Sequence, residues 1–579
     1  MPCAGFLLPC PLLADLTSRI TAVAAAADAQ AVPPVGVGAM AMLVLFITAS
    51  MWIGLRANRV NSSSGFMKGF FLGNRGLGVW ALALTATIQS GGTFMGFPSL
   101  VYAHGWIVAL WIGSYMVVPI TGFGILGKRL AQLSRRTGAI TVPDLFRTRF
   151  SSPSLGVACT IFILFYLSFL MFAQFKAGAI VLQLAWPSGG EISLSEDAVA
   201  VADWRYHVGL IVFTVTVVAY TLLGGFLAAV WTDLFQSLLM FAGVLVLLFA
   251  SLQAAGGLEQ ATMASYQQTG PGFVYAPGYV APVVPAAANQ ASAVSSAPHQ
   301  FLPLSLAFSM FVVWIWGGVG APAGLVRLMA SQNTNVIRKS IYVLSLYNLG
   351  IYLPLIVICI CGRALIPNLE KTDQIIPRLA LLTTADWPGG SIIAGLILAA
   401  PFGAVMSTVS SYLVVLSSGA VRDIYQRFFR PQAGRDELRL AAWIAMILAG
   451  AISVAVMWTP PDFLQVFIVF STSGAAATFL VPALMACYWR RATAEGILAG
   501  MLSGAATVLA LYLAGILQLT APQAIGAVSG FRPLFLLGLD PLIWGLLASS
   551  CLAVIVSFCT TPLDPQLISR LFDREPSPC

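Results

Sequence analysis

The sequence predicts an all-α polytopic membrane protein, and three observations predict it. Of its 579 residues, 59% are hydrophobic and 9% charged. A soluble domain is roughly a quarter charged, so this chain has too little polar surface to coat a globule in water. Apolar runs of the length a bilayer demands, about 20 residues each, recur at about thirteen places. Most of the 29 Lys and Arg fall in alternate loops between those runs, as a fixed orientation across a membrane requires.

The runs start near Val37, Leu77, Trp106, Ser154, His207, Leu227, Phe301, Ser340, Ser391, Leu440, Phe463, Glu495 and Leu534. Ahead of them, residues 1–35 carry an alanine run, Ala24 to Ala27. They read as an unstructured outer tail, a signal segment or a mis-start, with Met40 and Met42 as alternative starts. The second run is rich in Gly and Thr, and the fifth and sixth are separated only by Leu222-Leu223-Gly224-Gly225-Phe226. With the N-terminus outside, the inner segments hold Arg56 to Arg75, Lys128 to Arg149, Arg327 to Lys339, Arg422 to Arg439, Arg490 with Arg491, and Arg570 with Arg574. An odd number of spans, N-terminus out and C-terminus in, satisfies the positive-inside bias. Residues 186–205, with Glu191, Glu196, Asp197 and Asp203, then form an outer loop. So do residues 255–300, rich in Ala, Pro, Gly, Ser and Gln, which read as flexible or partly ordered. The transmembrane domain covers 36–560, and 561–579 is a cytoplasmic tail.

Several functions are disfavoured by the same residues. The net charge of +8 is scattered through short loops rather than gathered as a nucleic-acid footprint. Most of the nine Cys sit in or beside apolar runs, where a thiol behaves as a small hydrophobe, so no disulfide framework is expected. His104, His207 and His299 are far apart and lack metal-ligand spacing. No cluster of His, Cys or carboxylates offers enzyme chemistry.

Chemistry in such a chain is expected where a span breaks, because freed carbonyls and amides then need partners. The second span is interrupted by Ser90-Gly91-Gly92-Thr93, with Pro98 beyond. The seventh is interrupted by Trp316-Gly317-Gly318-Val319-Gly320-Ala321-Pro322. The two lie five spans apart. Glycines that merely permit close helix packing are the alternative. The ninth span carries Ser407, Thr408, Ser410, Ser411, Ser417 and Ser418 among apolar residues. Hydroxyls and freed carbonyls suit a hard cation; hydroxyls bonded to their own helix are the alternative.

At these residues the chain resembles the sodium/solute symporter family, from about Val37 to about residue 515. The resemblance rests on Phe71-Leu72-Gly73-Asn74-Arg75, Ile125-Leu126-Gly127-Lys128-Arg129, Gly224-Gly225-Phe226 with Trp231-Thr232-Asp233, and Ala399-Ala400-Pro401 through Met406-Ser407-Thr408 to Asp423-Ile424-Tyr425. The stretch Gly362-Arg363-Ala364-Leu365-Ile366-Pro367-Asn368-Leu369 points to the pantothenate branch. The resemblance implies a five-plus-five inverted-repeat core of the LeuT type, with repeats over about 77–250 and 301–488. It implies a sodium ion held by carbonyls of Ala86, Gln89 and Ala404 and hydroxyls of Ser407 and Thr408. Asp233 matches a carboxylate on the sodium exit path, with a helix cap or a cytoplasmic Arg partner as its bland reading. Ser90, Thr93 and Trp314 match positions facing the substrate. Two departures from relatives are Ile88 in place of an acidic residue and Gly318, in the substrate region, in place of a gating aromatic. Lys176 is unmatched: it either faces a substrate carboxylate or snorkels to the outer interface.

The implied function is uptake of a small solute driven by sodium across the plasma (inner) membrane, by alternating access. Sodium is the coupling ion, with no other cofactor and no transition metal. Pantothenate is the expected solute. Proline, a short monocarboxylate or another nutrient are alternatives, as is a symporter-like sensor.

Overall fold

A computed structural model describes residues 36–60, 71–86, 90–187, 198–276, 303–369, 371–460, 464–517 and 533–573. Those residues are almost wholly helical; their only extended pairing is an isolated bridge between Leu77 and Ser331. In chain order the helices are α1 (Val37–Val60), α2 (Val79–Ala86), α3 (Phe97–His104), α4 (Leu110–Val118), α5 (Lys128–Thr137), α6 (Val142–Phe150), α7 (Pro153–Ala185), α8 (Ala198–Ala254) and α9 (Leu258–Thr269). Then follow α10 (Leu304–Gly320), α11 (Pro322–Met329), α12 (Thr334–Leu365), α13 (Ile375–Thr384), α14 (Gly390–Ser418), α15 (Arg435–Val456), α16 (Gln465–Tyr488), α17 (Ala494–Leu517), α18 (Pro541–Cys559) and α19 (Pro565–Phe572).

Among the described residues, ten helical stretches are long and apolar enough to cross a membrane, or eleven if α10 and α11, bent by 45°, are taken as one span. The expected crossings near Leu77 and Trp106 fall on helical segments assembled from short pieces. A π-helix, Gly92–Gly96, leads into α3, and α4 runs into another, Pro119–Gly127. Neither piece reaches spanning length, so length and composition alone do not count thirteen. The fifth and sixth runs are joined inside α8, kinked at Gly225 with φ 58° and ψ −152°. That conformation is strained for any residue with a Cβ.

Local chemistry sets the ends. Ser152 accepts the Leu155 amide and Pro153 opens α7; Asn333 caps α12 and Asp540 caps α18. Each is a short polar acceptor satisfying an otherwise orphaned amide. The break between α10 and α11 falls on Ala321, at φ −66° and ψ 120°. A residue before proline is pushed out of the α region, so Pro322 fixes where the seventh span bends.

Burial orders the layers. The spanning stretch of α14 is 83% buried, against 22% for α15 and 28% for both α1 and α18. Helix α14 packs on α8, α7 and α1. Gly395 permits this: a Cβ there would lie 2.7 Å from Met42 Cβ, the small-residue contact by which membrane helices approach. On α15, Leu440, Ile444, Ile447, Leu448 and Ile452 form an exposed apolar stripe, the face a lipid solvent would cover.

In the outer stretch 255–300, α9 and the 3-10 turn Pro271–Phe273 are ordered, while 277–300 lie outside the described residues, as do 1–35. In the C-terminal stretch, Arg136 bonds the Leu571 carbonyl and Arg490 pairs with Asp573 at 2.6 Å, docking α19 on the body. Each described cysteine, from Cys159 to Cys559, is a free thiol.

Candidate functional site

The second span is interrupted where the glycines stand. Helix α2 is described as far as Ala86; residues 87–89, and with them Gln89, lie outside the described residues. The chain resumes at Ser90, whose carbonyl accepts the amides of Thr93 and Phe94 at 2.9 and 3.2 Å. The Gly92 amide turns to Ser90 Oγ at 3.1 Å, and the Gly91 amide donates to Gln174 Oε1 of α7 at 2.7 Å. Thr93 Oγ1 lies 3.2 Å from the Tyr352 hydroxyl of α12. The Ser90 and Gln174 side chains therefore take up two amides of the turn, and Tyr352 holds its Thr93 hydroxyl.

That break meets the hydroxyl-bearing helix. A Cβ on Gly91 would lie 2.8 Å from Ala177 Cβ and 3.5 Å from Val405 Cγ2 of α14. Val405 stands between Ala404 and the Ser407–Thr408 pair. Ser407 Oγ and Thr408 Oγ1 both donate to the Ala404 carbonyl, at 3.1 and 2.8 Å. All three residues are buried, so three of the five expected ligand oxygens form one cluster beside the interruption. All six hydroxyls thus bond carbonyls of their own helix, the bland pattern: Ser410 and Ser411 bond the Ser407 carbonyl, and Ser417 and Ser418 bond Val414 and Val415; Ser407 and Thr408 are set apart by standing near the interruption.

Asp233 on α8 follows the second half of its bland reading: it partners Arg327, an arginine counted on the cytoplasmic side, though the pair is buried rather than in a loop. Its Oδ2 lies 2.5 Å from Arg327 Nη2, and both side chains are buried. Arg327, read from the sequence as an inner-loop charge, is thus a correction: α11 carries it into the protein interior. The same Nη2 donates to Ser411 Oγ, tying the bent seventh span to α8 and α14. Asp233 Oδ1 has no hydrogen-bond partner among the described residues. An ion pair this deep is costly to desolvate and holds only with good geometry.

Trp314 is buried on α10 and lines a mainly apolar cavity with Leu100, Met310, Val469, Tyr512 and Gln465. Gln465 opens α16, is almost fully buried, and both atoms of its amide lack partners among the described residues. Its Oε1 also sits 1.8 Å from where a Gly96 Cβ would stand, so the amide reaches the π-helical turn of the broken span. Gly318 is exposed and looks onto Val118 of α4, outside that cavity.

Lys176 does not snorkel. It is buried and pairs with Asp373 at 3.2 Å, in the 3-10 turn Thr372–Gln374 between α12 and α13. The same Asp373 Oδ2 accepts the Leu464 amide at 3.2 Å. Burial pushes the Asp373 carboxyl up from its ordinary range, and the Lys176 ammonium opposes that shift. Ser99 bonds Thr372, and the Tyr102 hydroxyl bridges the Ile366 carbonyl and the Leu369 amide at 2.5 and 3.0 Å. The segment after α12 is therefore clamped to the far end of the broken span.

Sequence reasoning missed Gln174, Arg327, Tyr352, Asp373 and Gln465. A polar side chain inside an apolar run was the available signal for Gln174 alone.

With that geometry in hand, comparison with known proteins is specific. A model of the sodium:solute symporter family matches residues 70–504. The sodium/pantothenate symporter of Haemophilus influenzae is 30% identical over 492 residues, covering 83% of this chain and 91% of that protein. The high-affinity proline transporter PutP of Bacillus subtilis is 27% identical over 464 residues, covering 77% and 87%. The solved structure of a Na+-coupled sialic acid symporter, in a substrate-bound outward-open state, aligns with a TM-score of 0.62 at 18% identity, covering 91% of this chain and 99% of that one. At that identity the likeness speaks for the fold.

Proposed function

The chain belongs to the sodium:solute symporter family, and from that premise we propose that it carries pantothenate into the cell on a sodium gradient. It is a multi-pass membrane transporter rather than an enzyme, and Na+ is its coupling ion. The observation that carries the reading is the contact between the interrupted second span and α14, Gly91 against Val405. Carbonyls of Ala86, Gln89 and Ala404 and hydroxyls of Ser407 and Thr408 hold sodium there. No formal charge enters that set, so binding is moderate and the ion can leave in each cycle.

Sodium joins the broken span to α14 and organises the neighbouring substrate cavity. Such coupling between sites is reciprocal and typically about 1–3 kcal/mol. The membrane potential adds about 2.3 kcal/mol per charge per 100 mV. With the N-terminus outside and the C-terminus in the cytoplasm of a plasma (inner) membrane, sodium leaves past Asp233, whose Oδ1 is the acceptor Arg327 does not engage.

Pantothenate carries an amide, hydroxyls and a carboxylate. The unpartnered Gln465 amide and the Trp314 ring suit its amide and apolar parts, with Ser90 and Thr93 near the turn. The Gly362–Leu369 stretch and the Haemophilus relative support this solute. Proline is the second reading, favoured by the Bacillus relative. Uptake of radiolabelled pantothenate into proteoliposomes, with an imposed sodium gradient and unlabelled proline as competitor, separates them. Accumulation that needs sodium and resists proline is expected. Sodium-driven proline uptake without pantothenate uptake would replace the first reading by the second.

A further inference from the structure

We propose that an anionic phospholipid is held by its phosphate between α6 and the π-helical tail of α14, Gly419–Phe429. An open cavity of about 400 Å³ lies there, lined by Arg147, Thr148, Arg422, Gln426, Arg427 and Pro431. Three guanidinium groups and no carboxylate form its walls. Beneath them, Asp144 pairs with Arg427, and Asp423 accepts the Thr141 hydroxyl at 3.1 and 2.9 Å. Three arginines against two carboxylates leave one positive charge in excess, and neither Arg147 nor Arg422 is ion-paired among the described residues. The Arg147 side chain makes no hydrogen bond or ion pair among the described residues. Arg422 uses Nη1 on Gln426 at 2.6 Å, and its buried Nε has no partner among the described residues. Guanidinium forks held this way match the oxygen geometry of a phosphate ester.

A free phosphate offers the same chemistry, but the surroundings favour a lipid. Phe428 and Phe429 beside the cavity are 56% and 71% exposed. The tail packs on α15, whose Leu440, Ile444 and Ile447 are exposed and offer apolar surface to an acyl chain. The positive-inside rule assigns this end to the cytoplasmic leaflet, where anionic headgroups concentrate. The site goes beyond the transport reading and does not depend on the solute.

The test uses full-length protein in nanodiscs of phosphatidylcholine and phosphatidylglycerol in equal amounts. Lipid retained after detergent extraction is read by native mass spectrometry, with inorganic phosphate added in a parallel arm. Wild type should retain phosphatidylglycerol selectively. Retention should fall about thirtyfold in Arg147→Gln/Arg422→Gln, the factor expected for about 1 kcal/mol from each of two arginines near an anionic surface. If the double variant does not fold, Arg147→Gln alone should fall about fivefold on the same basis. Equal retention by folded variants, equal retention of phosphatidylcholine, or displacement by inorganic phosphate would overturn the lipid assignment, the last by giving the pocket to a soluble anion.

Discussion

Replacing Thr408 by Val removes one oxygen from the proposed cage while keeping the volume of the side chain. In the fold, the lost bond is the 2.8 Å contact to the Ala404 carbonyl, a neutral hydrogen bond of about 0.5–1.5 kcal/mol. That is small beside a typical stability of about 5–15 kcal/mol, so the variant should fold. For the ion, the loss is larger, because an interaction with a charge contributes about 1.5–3 kcal/mol. At 1.4 kcal/mol per decade, half-saturating sodium should rise between about 10-fold and 100-fold. Adding Ser407→Ala should raise it further, though adjacent ligands do not add simply. Two assays read this: sodium titration of labelled-pantothenate uptake in proteoliposomes, and sodium-induced thermal stabilisation of the purified protein without substrate, which follows ion occupancy directly. Unchanged sodium dependence in both, from a folded Ser407→Ala/Thr408→Val protein, would refute the placement of the ion.

Three other perturbations follow from contacts described above. Lys176→Met strands the Asp373 carboxylate and should destabilise by about 3–5 kcal/mol, whereas Lys176→Met/Asp373→Leu should recover much of that; thermal denaturation with no recovery in the double variant would contradict the buried pair. Gly91→Ala drives a Cβ to 2.8 Å from Ala177, an overpacking of about 1–3 kcal/mol; uptake should fall with weakened sodium stabilisation, and normal sodium affinity would show that the break tolerates displacement. Gln465→Leu should raise half-saturating pantothenate about tenfold at saturating sodium, from one lost polar contact, and leave sodium stabilisation without substrate intact. An unchanged pantothenate requirement would remove Gln465 from the site.

The spans were legible because hydropathy is a local property, and both interruptions were legible because Gly and Pro act on their own backbone. Pro322 places the seventh break at Ala321, and Ser90 to Thr93 mark where the second span loses its α ladder. The ion pairs were not legible. Asp233 and Arg327 are 94 positions apart, and Lys176 and Asp373 are 197 apart. A charge at the end of an apolar run looks the same whether water or a distant carboxylate receives it. Arg327 was therefore counted with the loop charges and Lys176 as a possible snorkeller. Gln465 was missed for a related reason: a Gln at the start of a span reads as interfacial, and only packing shows that nothing answers its amide. The Ser407–Thr408 pair lies between these cases. Its residue types suggested a cation, but its meeting with the second span depends on how α14 threads against α7 and α2's continuation.

One carboxylate oxygen, Asp373 Oδ2, receives an ammonium from α7 and a main-chain amide at the threshold of α16. Lifting the turn that carries it by a little would leave opposite charges apart in a medium that solvates neither, at several kcal/mol. The pair therefore resists displacement of the turn and fixes the start of α16 against α7.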